Sequence, residues 1–400
     1  MLLYSENKRS IIYIFFVFFF LELCLGGSGG LLKYDLITLR KVDFVIALII
    51  SIFIYLFINK IDQEIISLTL VFLVLLLFGA TIGFLNYGND VRIYENFFMQ
   101  SFFLLLPFYT LFIRQKKDAV FIVKIFIFSS VLLAVAYLIL LLLMFTGITP
   151  FLTVYGVITQ SDEFMGRGGF AIWYKGFLYM CAGIYFVSLI NNKFIRSLLQ
   201  VIIFIALVLT FTRGFIAALF ATAILYNFFF KNIVRSMIIV VIGVLGFVYL
   251  SSAFEEVSFD RAKSDEPRYL QIEQVGQGIT PLSFFIGHGL GAGVKVRDNH
   301  MEINYLEIFH KQGIIGVIFW FFILGYIVFI YRHIKLVNTA NEKYARPFLL
   351  ATIFVYIESF TNPFLTNSIG MNIVMVSLVC LNVLKKQEPV PVLPETAGIL

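Results

Sequence analysis

Two kinds of side chain in this 400-residue chain could do chemistry, and they gather in two places. Arg213 lies in the turn Thr210-Phe211-Thr212-Arg213-Gly214, where two apolar runs meet, and the polar stretch 254–312 carries Arg261, Lys263, Arg268, Lys295 and Arg297 together with His288 and His300. A guanidinium holds phosphate oxygens through paired, charge-assisted hydrogen bonds. An imidazole titrates near neutral pH and can take a proton from a hydroxyl, a contribution of about 10²–10⁴-fold in rate. His300, Glu302 and Tyr305 recur at near-helical spacing after a turn containing Gly287, Gly289, Gly291 and Gly293. Glu302 is placed to orient His300 or to serve as the base itself. Glu307 reads as an interfacial or packing acid, and His310 and Lys311 as markers of a membrane boundary. Arg167, in Gly166-Arg167-Gly168-Gly169, is a further candidate cation in a setting that also suits a plain loop. The bland alternatives are a snorkelling Arg213 and a solvated face on which Glu255, Glu256, Asp260, Asp265 and Glu266 pair with the loop cations.

The elements that must position these groups are membrane helices. The chain is 60% hydrophobic and 14% charged, with a mean hydropathy of +0.94, far from the composition of a soluble domain. Runs of about 20 apolar residues, the length that crosses a bilayer, occur near 11–26, 42–59, 65–85, 97–113, 120–145, 170–190, 195–211, 213–230, 236–253, 313–331, 347–361 and 367–384. The expectation is an all-α polytopic membrane protein of about twelve spans, divided into helices 1–9 (1–253), a large external loop (254–312), helices 10–12 (313–384) and a tail (385–400). Lys and Arg cluster in the connections after even-numbered spans, as at Arg114, Lys116 and Lys117, or Lys343 and Arg346. Positive-inside then puts those connections, the tail and both termini in the cytoplasm, and the long loop outside. Lys33, Arg40 and Lys41 break the rule by falling in an external connection. Residues 8–26 have some features of a secretory signal, but Glu22 interrupts the apolar stretch and retention as a helix is preferred. Pro267 to Val275 reads as a short helix in the loop.

The net charge of +6 sits in short clusters between apolar runs, as topology determinants do, so no nucleic-acid partner is expected. Cys24, Cys181 and Cys380 each lie in an apolar run without metal-ligand spacing, and no phosphate loop, HExxH or Gly-x-Ser-x-Gly elbow is present. A secondary transporter or lipid-linked oligosaccharide flippase would place its polar site mid-membrane. Glu22 and Glu358 are the acids that could face each other there as a proton relay.

The run Gly287-His288-Gly289-Leu290-Gly291, then Asn299-His300-Met301-Glu302, Tyr305-Leu306-Glu307 and His310-Lys311-Gln312-Gly313-Ile314-Ile315-Gly316 resembles the O-antigen polymerase and ligase superfamily. The Thr-Arg-Gly turn at Arg213 is similar to that family's Ser-Arg-Gly turn between two spans. The resemblance implies a membrane-embedded glycosyltransferase of the GT-C kind, inverting and metal-independent, with no cofactor. Its partners would be the bilayer, a glycan donor and acceptor on undecaprenyl pyrophosphate, and a chain-length regulator. On this resemblance Arg213 and Arg268 bind pyrophosphate, with Arg261 as the alternative equivalent of Arg268 and Arg167 as a further ligand, and His300 activates the acceptor hydroxyl or assists the displacement, while Glu302 is its catalytic partner by spacing alone. The 310–316 run favours polymerases, in the bacterial inner membrane, over ligases that use lipid A core.

Overall fold

The computed structural model describes residues 6–30, 33–34, 37–57, 62–158, 163–166, 171–234, 236–241, 243, 246 and 261–386. Its helices are α1 (Glu6–Leu25), α2 (Leu39–Phe57), α3 (Gln63–Tyr87), α4 (Val91–Ser101), α5 (Leu106–Phe112), α6 (Lys116–Phe145), α7 (Phe151–Ile158) and α8 (Phe177–Val187). They continue as α9 (Lys193–Leu209), α10 (Arg213–Phe230), α11 (Arg261–Gly278), α12 (Pro281–Ile286), α13 (Asn304–Val337), α14 (Thr339–Glu358) and α15 (Ser368–Lys386). Two short antiparallel hairpins, β1–β2 (Lys33–Tyr34 with Ile37–Thr38) and β3–β4 (Phe164–Gly166 with Ile172–Tyr174), decorate one end.

Among the described residues, α3, α6, α10, α13 and α15 are long and apolar enough to cross a membrane. Their outward faces are themselves apolar: Val74, Leu77 and Phe78 on α3, Phe128, Ile139 and Leu142 on α6, and Phe321 and Phe322 on α13 are exposed. Such faces suit lipid, because a soluble surface rarely leaves contiguous apolar patches of this extent. The centre of the bundle is α15, buried along most of its length. Its Asn372 accepts from the Tyr109 hydroxyl (2.5 Å) and donates to that of Tyr179 (2.6 Å), so a core amide is satisfied by two phenols. Phenylalanines fill the rest by stacking, as in Phe16 on Phe112 and Phe126 on Phe186, both with centroids 4.3 Å apart.

The expected span 236–253 lies largely outside the described residues, and two of the other expected spans take another form. The apolar run 97–113 is split into α4, a 3₁₀ turn at Phe102–Leu105, and α5. Pro107 lacks a backbone N–H and falls in the first turn of α5, where that donor is not needed. The run 170–190 contributes only the eleven-residue α8, preceded by strand β4 with the residues Ile172, Trp173 and Tyr174, types that favour strands. The short helix read at Pro267 to Val275 lies within the longer α11.

The glycines of the 287–293 turn have a mechanical reason. Gly287 and Gly289 adopt φ of 74° and 89°, and a Cβ on Gly289 would come within 2.2 Å of the Gly83 nitrogen on α3. Across from them α13 kinks at Gly313, whose φ is 65°. His288 N–H donates to the His310 carbonyl (2.8 Å), Gly289 N–H to that of Lys311 (3.0 Å), and Leu290 N–H to that of Gly79 (2.9 Å). The turn is thereby clamped between α3 and the first turns of α13, chiefly by backbone, with the Asn86 side chain of α3 also donating to the His288 carbonyl (3.0 Å), and only residues without a Cβ allow so close an approach.

Candidate functional site

α13 begins where the turn after α14 delivers it. Asn304 N–H donates to the Ser359 carbonyl (3.1 Å), and the Asn304 side-chain oxygen accepts from the Leu365 and Thr366 amides (2.7 and 3.2 Å). Tyr305 hydroxyl donates to the Tyr356 carbonyl (2.7 Å). These contacts join the loop that carries His300 to the residue 359–367 turn and hence to the core of the bundle.

His300 is half-buried and its Nδ1 lies 3.3 Å from the Glu307 carboxylate. Glu307 is buried and also receives the Lys311 ammonium, which donates in addition to the Asn299 carbonyl (2.8 Å). An imidazole held through one nitrogen by a carboxylate has its tautomer fixed and its other nitrogen left for a ligand. The acid that meets His300 is therefore Glu307, while Glu302 faces elsewhere: its two oxygens take Arg268 Nε at 3.0 Å and an Arg297 Nη at 2.6 Å. Glu302 N–H is fixed by the side chain of Gln271 on α11 (2.9 Å), which draws α11 against the loop. On the other flank Asn299 is held by Glu95 (2.7 Å) and Asn96 (2.8 Å) of α4. His288, tilted against His310 with centroids 4.6 Å apart, is held below the usual imidazole range by burial, partly offset by a backbone contact at Gly278.

Arg213 opens α10, half-buried, two residues after Phe211, whose φ of 52° is left-handed. Such a conformation in a bulky residue costs about 1–3 kcal/mol and is typical of functional turns. Next to it, a Cβ on Gly214 would stand 3.2 Å from the carboxylate of Glu358, a buried acid held by Thr361 (3.0 Å) and Asn362 (3.1 Å). The Arg213 turn thus packs against Glu358. Arg261 opens α11, and Arg167 lies outside the described residues.

Beside His300 is a cavity of about 500 Å³. Its wall includes Arg40, Lys41, Lys175, Glu163, Trp173 and Asn362, so three cations, one acid, an indole and an amide face a space large enough for sugar rings. Arg40 is only 5% exposed and is the most tightly held of them. It makes two bonds to the Glu22 carboxylate (3.0 and 3.2 Å), one to the Glu22 carbonyl (3.1 Å), one to Ser368 (3.1 Å) and one to the Gly27 carbonyl. Glu22 is therefore committed to Arg40, and the facing of Glu22 and Glu358 that a proton relay would need gives way to two separate sets of partners. Glu163 binds the Ser28 amide and hydroxyl (2.5 and 2.6 Å) and approaches Lys175 at 3.6 Å, closing the 26–30 turn onto the β3–β4 hairpin.

Arg40, Lys41 and Lys175 fall outside the sequence motifs, and Glu307, part of the Tyr305-Leu306-Glu307 run, reads there only as an interfacial or packing acid. A signal for the first two existed, since they are the cations that break the charge rule for their connection. Their seat on the cavity wall gives that exception a physical reason.

The fold and composition define a polytopic, all-α membrane protein, with a cationic cavity at one end. No family model matches the chain. Its sequence is similar to the O-antigen polymerase of Shigella flexneri, at 29% identity over 368 residues that cover 90% of this chain and 92% of the relative. The resemblance read from the motif residues is borne out by that match along nearly the whole length, on the polymerase side of the superfamily.

Proposed function

We propose that this chain is an O-antigen or surface-polysaccharide polymerase that joins oligosaccharide repeats carried on undecaprenyl pyrophosphate. The observation that carries the reading is the near full-length similarity to a named O-antigen polymerase, in a chain where His300 borders both the cationic cavity and the loop of Arg268. The enzyme works in the bacterial inner membrane as a GT-C-like bundle of about twelve spans. Both termini are cytoplasmic and the loop 254–312 lies on the outer face.

The transfer is inverting. The acceptor hydroxyl gives its proton to the nitrogen of His300 that Glu307 leaves open, as its oxygen bonds to the anomeric carbon of the donor. The bond from that carbon to the pyrophosphate oxygen breaks, and the lipid pyrophosphate leaves with the electron pair. Arg213 and Arg268, with Arg261 or Arg167 as further ligands, stabilise the charge that develops on the leaving group, and neither a metal nor a cofactor enters this scheme. Glu302 holds Arg268 in position while the site is empty. The cavity beside His300 takes the acceptor sugars, with Trp173 as an apolar platform and Lys41 and Lys175 for acidic or phosphorylated groups. A chain-length regulator would act in the same membrane.

The test is to delete the gene in its native strain and complement with wild type, His300→Ala, Arg213→Ala or Arg268→Ala at matched membrane abundance. Surface polysaccharide is then resolved on a gel. Loss of the ladder with a single repeat still on the core is expected. Loss of every repeat would mean ligase, and an unchanged ladder in the deletion strain would overturn a role in polymer assembly.

A further inference from the structure

The end of the bundle away from His300 holds a second cavity, of about 770 Å³, between α6, α9 and the start of α14. α14 is 20 residues long and carries Lys343 and Arg346 near its start and Glu358 at its end, a separation of about 20 Å along a helix. Lys124, Arg196, Lys343 and Arg346 border this cavity, and none of its described lining residues is acidic. Arg346 is fixed by Glu342 on its own helix (2.9 and 3.2 Å). The Lys343 ammonium lies 4.8 Å above the Tyr344 ring, which the Lys116 ammonium also approaches at 5.0 Å.

A groove of about 500 Å³ continues from this cavity along α6, sharing Lys124 and Ile127 with it, and is walled by Phe128, Val131, Val135 and Leu199. Lys124 stands eight residues into α6, about 12 Å along its axis. A lysine this far into an apolar helix is costly to leave without a counter-charge, so this position favours an anion supplied at the membrane boundary.

We propose that the cavity and groove together form a binding site for an anionic phospholipid. The phosphate sits among Lys124, Arg196 and Lys343, and an acyl chain runs down the groove along α6. Basic residues at helix ends are ordinary topology determinants when they are spread out. Here they converge on one cavity without a lining carboxylate, and that cavity opens into an apolar channel of the direction a lipid tail takes. Pockets of this composition between membrane helices suit phosphate headgroups.

The experiment uses the full-length protein in mixed vesicles of phosphatidylcholine and phosphatidylglycerol, extracted into mild detergent, with retained lipid counted by native mass spectrometry. Wild type is expected to keep phosphatidylglycerol over phosphatidylcholine. Lys124→Ala combined with Arg196→Ala should lower that retention about tenfold, on the scale of the attraction that each basic residue near a surface exerts. Lys124→Arg, which keeps the charge, should retain it. Lys193→Ala, at the same end and outside both cavities, should also match wild type, and Lys343→Gln serves as a milder variant if the double one aggregates. Excess inorganic phosphate should leave the lipid in place, because the groove holds its chain. Equal retention of the two lipids, equal loss in Lys193→Ala, or displacement by free phosphate would each overturn the proposal.

Discussion

The Glu22–Arg40 pair and the Arg268–Glu302–Arg297 group both bring a guanidinium to 3.0 Å from a carboxylate, yet they sit in different surroundings. The side chains of Arg40 and Glu22 are 6% and 0% exposed, those of Arg268 and Glu302 31% and 28%. Arg40 spends its donors on one acid, two backbone carbonyls and a serine, all within the protein. Such a pair cannot be exchanged for a ligand without stranding a buried charge. Glu302, by contrast, is shared between two arginines at a water-accessible rim. There an incoming anion can replace the carboxylate at little cost, since exposed pairs contribute about 0–1 kcal/mol. The same chemistry thus builds a wall in one region and a replaceable stopper in the other.

The sharpest break of this comparison is Arg40→Ala. It leaves Glu22 buried and uncompensated, and the expected loss is about 3–5 kcal/mol of stability, read as a lower melting temperature in detergent. The double variant Glu22→Gln with Arg40→Gln removes both charges and should recover a large part of that loss. If Arg40→Ala melts like wild type, the wall assignment fails.

The next effect is on activity and leaves the fold alone. His300→Ala is expected to slow polymer formation by about 10²–10⁴-fold, assayed with lipid-linked repeats in proteoliposomes, while the melting temperature stays close to wild type because the ring is half-exposed. Glu307→Gln tests the orienting contact. It keeps the shape but weakens the hold on His300 and Lys311, so both rate and stability should fall. A rate loss in Glu302→Gln equal to that of His300→Ala would instead return the base to Glu302.

Why the sequence shows some of this and hides the rest follows from how each signal arises. Hydropathy reports burial in lipid, so α3, α6, α13 and α15 could be read directly. It does not distinguish a spanning helix from an apolar segment broken inside the bundle, which is why 97–113 and 170–190 read as continuous. Local spacing puts acids near His300, but i+2 and i+7 neighbours cannot be ranked before the chain direction at Ile303 is known. The chain enters α13 there, and the change of direction carries Glu302 outward to the arginines and Glu307 inward to the imidazole. The glycine run is legible as a pattern, while its cause is backbone packed on the Gly313 kink nearby and on Gly83, more than 200 residues away in sequence. Arg40 and Lys41 were visible only as an exception to the charge rule, and such exceptions in a membrane protein are places to look for a ligand.

The smallest effect expected is that of Arg297→Ala. Its side chain is 46% exposed, and Glu302 keeps both its bond to Arg268 and its backbone tie to Gln271 without it. The change should therefore cost no more than about 1 kcal/mol in stability. What it does cost should shrink as salt rises, because screening weakens a rim pair far more than a buried one. Melting curves at low and high ionic strength for Arg297→Ala and Arg40→Ala, run side by side, put the comparison to its finest test. A salt-insensitive loss in Arg297→Ala as large as that of Arg40→Ala would mean that the rim group is as structural as the wall, and that Glu302 is no stopper for an anion site.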